Sequence, residues 1–285
     1  MLLKSINYWS FPGGLAGNLE PVEAAKMAKA AGFEAIELCV GDAGTALGVD
    51  ATDAQVAEIR KQVEALGLTV PSVASGLYWS RALADADPAA RAQAADDLRA
   101  MIRISAGLGA KTLLTIPGAV EVFFLPDRPV QPYDEVLRYA TEGLRAVLPT
   151  AAEFKVRLGI ENVWNRFLLS PTEMAAFIDG FQSEWIGAYF DVANVLAFGF
   201  PEQWLRILDK RVVGVHFKDF RRAVGTIEGF VDLLEGDVDW PAVTAALTEI
   251  GYQGPVAAEM IPGYRHFPEI RIANTSRAMD AILGR

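Results

Sequence analysis

Short apolar runs alternate with longer helix-like segments along this chain, and the alternation repeats eight times. The runs are LLKSINYW at 2–9, AIELCV at 35–40, LTVPSVAS at 68–75, KTLLTIPG at 111–118, KVRLGIENV at 155–163, WIGAYFDVAN at 185–194, VVGVHFKDF at 212–220 and PVAAEM at 255–260. They lack the regular in–out alternation of a half-exposed strand, as expected of strands covered on both faces.

Helix signals fill the intervals. Glu20–Pro21 opens a stretch to Ala31, and Gly32 stops it. Thr52 or Asp53 caps a segment that ends at Gly67, and Asp87–Pro88 begins a long helix through Leu108. A further helix runs from about 132 to 153. In Ser170–Pro171–Thr172–Glu173, the serine can cap, the proline occupies a first turn where its missing N–H costs nothing, and Glu173 can close a capping box. Pro201 opens a short helix, Asp239–Trp240–Pro241 starts another, and the last spans roughly 268–283. Eight strand–helix units without a dividing linker predict an α/β chain folded as a (β/α)8 TIM barrel, one domain over 1–285. An open doubly wound sheet is the alternative, but no GxGxxG follows the first run.

Composition narrows the partners. Of 285 residues, 52% are apolar, enough for a large core, and the net charge of -10 disfavours nucleic acid. The single cysteine, Cys39, permits no internal disulfide and reads as a small core residue of a reducing, cytoplasmic compartment. The N-terminal MLLKSINYWSFPGG lacks signal-peptide features, and no apolar stretch is long enough for a membrane span.

The chemistry lies where the last four runs end. They terminate in Glu161 and Asn162, in Asp191 and Asn194, in His216, Lys218 and Asp219, and in Glu259. No local spacing links these residues; only barrel closure gathers strand ends into one ring, where such folds keep their active sites. Each alone reads as a rim hydrogen-bond or ion-pair partner. Together, three carboxylates and one imidazole suit Mn²⁺, Mg²⁺, Co²⁺ or Zn²⁺, and a dication relieves the repulsion among the acids. Lys218 is expected on the same strand face as His216, contacting a substrate oxygen or a neighbouring carboxylate. Arg221 and Arg222 form a basic spot on the seventh loop, read as solvated charge or as a clamp over a pocket. Aromatics near strand ends, among them Trp9, Trp79, Phe123, Phe124, Trp164 and Phe198, suit the C–H faces of a sugar. His266 falls beyond this set, in a loop.

The stretches GIENVWN, YFDVANVLAFG, VVGVHFKDF, LLEGDVDWPAV and GYQGPVAAEM resemble the sugar (phosphate) isomerase/epimerase group of xylose-isomerase-like barrels. That group includes D-tagatose/D-psicose 3-epimerases and L-ribulose- and L-xylulose-5-phosphate 3-epimerases. The resemblance implies a metal quartet of Glu161, Asp191, His216 and Glu259, with Glu161 and Glu259 also the acid/base pair. It implies that Arg222 contacts substrate. It departs at Asn194, where many members carry histidine and phosphate-sugar members can carry asparagine, and at Phe167, where tagatose-type enzymes carry glutamate. The expected activity is 3-epimerisation of a ketose or ketose phosphate through an enediolate, with Mn²⁺ as the ion. Substrate contacts are expected from Asn162, Asn194, Lys218, Arg222, Trp9 and Trp164. Aldose–ketose isomerisation and dehydration of a keto-polyol share the same intermediate. A non-catalytic sugar-binding barrel is the reading of another class, and a multi-metal endonuclease of the same fold is disfavoured by two histidines and the negative charge. A homodimer or homotetramer is expected by analogy.

Overall fold

The computed structural model describes residues 2–285. Ten strands form among the described residues: β1 Leu3–Asn7, β2 Ala35–Val40, β3 Ser72–Ser75, β4 Thr112–Thr115, β5 Arg157–Glu161, β6 Ile186–Asp191, β7 Val212–Phe217, β8 Asp219–Phe220, β9 Phe230–Val231 and β10 Pro255–Ala258. Eight of them close a parallel barrel in the order β1-β10-β7-β6-β5-β4-β3-β2, while β8 and β9 pair as a small antiparallel ribbon. The chain is therefore a (β/α)8 barrel.

Eight helices surround it: α1 Pro21–Ala30, α2 Asp53–Ala65, α3 Pro88–Leu108, α4 Tyr133–Phe154, α5 Pro171–Asp179, α6 Pro201–Leu208, α7 Trp240–Glu249 and α8 Pro268–Leu283. Proline is the first residue of five of them, where its fixed φ suits the first turn. Thr52 and Gln55 form a reciprocal capping box at α2. At α5, Ser170 caps as its sequence predicts, but the Glu173 carboxylate accepts from the N–H of Leu169 instead of closing a box on Ser170. No helix among the described residues is long and apolar enough to cross a membrane.

Two strand predictions need correction. LTVPSVAS touches β2 through an isolated bridge at Thr69 and becomes a continuous strand only from Ser72, after Pro71, which has no N–H to give a ladder. VVGVHFKDF is two strands: β7 stops at Phe217, Lys218 turns toward the barrel mouth, and Asp219–Phe220 joins Phe230–Val231. Asp219 anchors this turn. Its buried carboxylate accepts N–H bonds from Phe220, Leu234, Val238 and the Trp240 indole at 2.9–3.2 Å.

Tyr189 of β6 fills the barrel interior and is fully buried. Glycines on both flanking strands make room for its ring. A Cβ at Gly159 would come within 3.1 Å of Tyr189 Cδ2, and one at Gly214 within 2.6 Å of the same atom.

Candidate metal centre and the cavity above it

Barrel register sets the site. β5, β6, β7 and β10 are consecutive staves, and Asp191 pairs directly with His216. Glu161 ends β5, Asp191 ends β6, His216 is the penultimate residue of β7, and Glu259 follows β10. All four are buried, and one ligand atom from each lies within 4.8 Å of the others. His216 Nδ1 is the inward atom, 3.3 Å from Glu259 Oε2, 3.8 Å from Glu161 Oε1 and 3.9 Å from Asp191 Oδ2.

The other ring nitrogen is held from below. His216 Nε2 lies 2.6 Å from Glu37 Oε1, and Glu37 is wholly buried on β2. Asn7 Nδ2 donates to that same oxygen at 2.7 Å, and the Tyr189 hydroxyl donates to Glu37 Oε2. The Tyr189 and His216 rings meet edge to face at 4.8 Å. Glu37 is a candidate supporting residue of this centre that the sequence reading passed over. Its signal was a charged residue in the middle of an otherwise apolar run.

The electrostatics of the cluster favour a cation. Burial pushes the Glu161 carboxyl up to about 7 and also raises Asp191. Burial acts in the same sense on Glu259, but the neighbouring charges of Lys218 and His216 prevail and hold it at about 2. For His216, burial opposes the imidazolium, yet Glu37 and Glu259 outweigh it and raise the pKa well above the ordinary value. Lys218 Nζ lies 3.2 Å from Asp191 Oδ2 and touches Glu259, and it stays charged because Asp191 and Glu259 overcome its desolvation.

Among the described residues four buried side-chain atoms nevertheless lack a directed hydrogen-bond partner; three of them, Asp191 Oδ2, His216 Nδ1 and Glu259 Oε2, belong to the quartet, and the fourth is Ser5 Oγ. Buried polar atoms without a directed partner are costly, and a divalent cation bound by this oxygen-and-imidazole set, in place of the imidazole proton, would satisfy these three together. The residues present fit such an ion.

Above the quartet opens a cavity of about 630 Å³. The structure brings Glu161, Glu259, Lys218, Asn194, Trp9 and Trp164 to its wall, together with Phe123, Phe124 and Phe230. Trp164 packs against both Phe220 and Phe230, and its indole N–H donates to Asn194 O at 2.7 Å. Asn162 and Arg222 do not line the cavity. Asn162 spends both ends of its amide on the Asp191 backbone, each at 2.8 Å, and so straps β5 to β6. Arg222 is exposed, donates to Gly199 O at 3.1 Å and stacks on Phe200. Phe198 also faces away, against Trp204, and His266 is exposed on the loop before α8. Cys39 is buried, and burial raises its thiol pKa well above the usual value, in keeping with an inert core thiol.

The family model described as xylose isomerase-like TIM barrel matches residues 25–281, nearly the whole chain. The chain belongs to that family. A relative within reach of sequence comparison is the putative L-ribulose-5-phosphate 3-epimerase SgbU of Escherichia coli, 26% identical over 94% of this chain and 93% of that protein. Among solved structures, an L-ribulose 3-epimerase superposes with a TM-score of 0.79 at 19% identity, covering 100% of this chain and 95% of that one. A D-psicose 3-epimerase from Clostridium cellulolyticum gives 0.80 at 14% identity, covering 99% of each chain. At these identities the structural likeness establishes the barrel. In this xylose isomerase-like barrel, the ligand quartet rests on the geometry above.

Proposed function

We propose that the chain is a divalent-metal-dependent sugar epimerase that inverts carbon 3 of a ketose, with Glu161 and Glu259 as its acid/base pair and Mn²⁺ as its ion. One observation carries this reading. The two glutamates come from staves on opposite sides of the β6–β7 pair, both line the cavity, and both converge on His216 Nδ1. Carboxylates so placed can reach a bound sugar from two sides. The relatives named as 3-epimerases point the same way.

When bound, the cation would be held by Glu161, Asp191, His216 and Glu259, and would stabilise the negative charge that gathers on the ketose oxygens. The protein does the rest. One glutamate takes the proton from carbon 3, leaving an enediolate, and the other returns a proton to the opposite face. Lys218 places an ammonium at the cavity floor, against a substrate hydroxyl. Trp9 and Trp164 supply apolar walls for the C–H faces of the sugar and keep bulk water from the intermediate.

The test is solvent deuterium exchange with added Mn²⁺ across ketoses. Epimerisation labels carbon 3 with inversion. Label at carbon 1 with an aldose product, or loss of water, would instead assign isomerase or dehydratase chemistry. Glu259→Gln should abolish exchange while the barrel stays folded by circular dichroism; wild-type exchange in that variant removes Glu259 from the mechanism.

A further inference from the structure

A second concavity adjoins the cavity, on the side of β1–β3. It encloses about 420 Å³, and the two spaces share the walls formed by Trp9, Leu15, Gly76, Trp79 and Phe124. Trp79 and Phe124 meet edge to face at 5.1 Å and form an aromatic partition. The far wall of this groove is polar and exposed, with Asp42, Thr45 and Ser80. Aromatic faces opposed to hydroxyl and carboxylate groups are the chemistry that recognises a sugar ring. The cavity alone is already the size that encloses a drug-sized ligand, roughly 300–1,000 Å³, so a lone monosaccharide leaves both it and the groove underfilled.

The charges along both spaces are already spoken for. Lysine and arginine side chains reach the cavity wall only as Lys218 and Arg271 among the described residues. Lys218 is held by Asp191 and Glu259. Arg271 is buried, pairs through Nε with Asp232 at 2.6 Å, and donates through Nη1 to Pro262 O. In the groove the one ionic group, Asp42, is bound by Arg81 at 2.9 Å. Glu228 adds a further acid to the cavity rim. Phosphate is normally taken by free, charge-assisted donors such as a bidentate arginine; here a dianion would face an acidic rim and a single remaining Arg271 nitrogen.

Resting on the function proposed above, we propose that the substrate is an uncharged ketose carrying a second sugar ring, with the ketose over the quartet and the second ring in the groove. The experiment measures carbon-3 deuterium exchange by the Mn²⁺-loaded enzyme on fructose, fructose 6-phosphate, and two glycosyl-fructoses, lactulose and isomaltulose. At least one glycosyl-fructose should exceed both fructose and its phosphate in kcat/KM by about tenfold or more, the scale of an added set of pocket contacts. Ala16→Trp and Thr45→Trp fill the groove from two exposed loop positions away from the quartet. Each should remove that advantage and leave fructose exchange unchanged. Fructose 6-phosphate as the best substrate overturns the charge argument. Parity of glycosyl-fructoses with fructose, or equal losses on both in the tryptophan variants, overturns the groove. Exchange on none of the four defeats the epimerase reading itself and this inference with it, so the two failures are told apart.

Discussion

Glu37 offers the sharpest test of how the barrel interior serves the metal centre. The substitution to make is Glu37→Gln. The carboxylate takes three buried donors: Asn7 Nδ2, His216 Nε2 and the Tyr189 hydroxyl. Leucine would strand all three at about 1–3 kcal/mol each, a sum comparable to the whole stability of many domains, about 5–15 kcal/mol. Glutamine avoids that. Its amide oxygen can keep Asn7 and His216, its NH₂ can face Tyr189, and the Tyr189 hydroxyl can turn to Ser72 Oγ, 3.3 Å away. What goes is the negative charge behind the imidazole. That charge fixes which nitrogen faces the quartet and makes it a better electron donor. The expected loss in Mn²⁺ affinity is about 10- to 100-fold, equivalent to about 1.4–2.7 kcal/mol. The assay is competition against a fluorescent chelator with metal-free protein, paired with thermal unfolding of the same samples. Retained apo stability with weakened binding is the expected result. If the variant binds Mn²⁺ as the parent does, the Glu37–His216 contact is packing and the reasoning is wrong.

Other consequences follow from the same contacts. Asp219→Asn sets an NH₂ against two N–H donors whichever way the amide turns, so urea denaturation should show a loss of about 2–6 kcal/mol; a loss inside experimental error would show that the turn after β7 does not depend on this carboxylate. Gly214→Ala drives a methyl into the Tyr189 ring, which should cost about 1–3 kcal/mol and weaken Mn²⁺ binding by lifting the tyrosine from Glu37; unchanged metal affinity would deny that coupling. His216, with its pKa raised, carries a proton in the metal-free protein, and that proton must leave Nδ1 when the ion binds. Mn²⁺ affinity should therefore climb between about pH 6 and 8, with proton release seen calorimetrically in buffers of different ionisation enthalpy; a flat profile contradicts the assigned protonation.

Much of this site could be read from the sequence because a parallel barrel presents its chemistry at run ends. Glu161, Asp191, His216 and Glu259 each break an apolar run at its C-terminal side, so a closed ring was enough to assemble them. Glu37 escaped for the complementary reason. All six residues of β2 are buried, so the run looks apolar as a whole, and the partners that make its charge tolerable lie on β1, β6 and β7. Its one local mark, a lone carboxylate inside the run, does not say which strands supply those partners. The β8–β9 ribbon was hidden by size, since two residues a side give no period to detect. Arg222 is open to two readings after the seventh run, a clamp or solvated charge, and its guanidinium lies on Phe200 and the Gly199 carbonyl, a placement no local signal gave.

The two faces of the run 212–220 do different work. Toward the barrel axis it presents Gly214, His216 and Lys218 at a spacing of two. The first is small so that Tyr189 can pass, the second is a ligand backed by Glu37, and the third places a charge against Asp191 and Glu259. Toward the helices it presents Phe217, whose ring meets Trp240 at 4.8 Å, and Asp219, which accepts the Trp240 indole N–H at 3.0 Å. The residue that begins α7 thus fixes the outer face of the strand whose inner face holds the imidazole. A histidine at the mouth of a buried strand is tolerable here only because the residues two before and two after it are also committed to the same site. The first leaves room for the tyrosine that steadies Glu37, and the second balances the acids the imidazole faces.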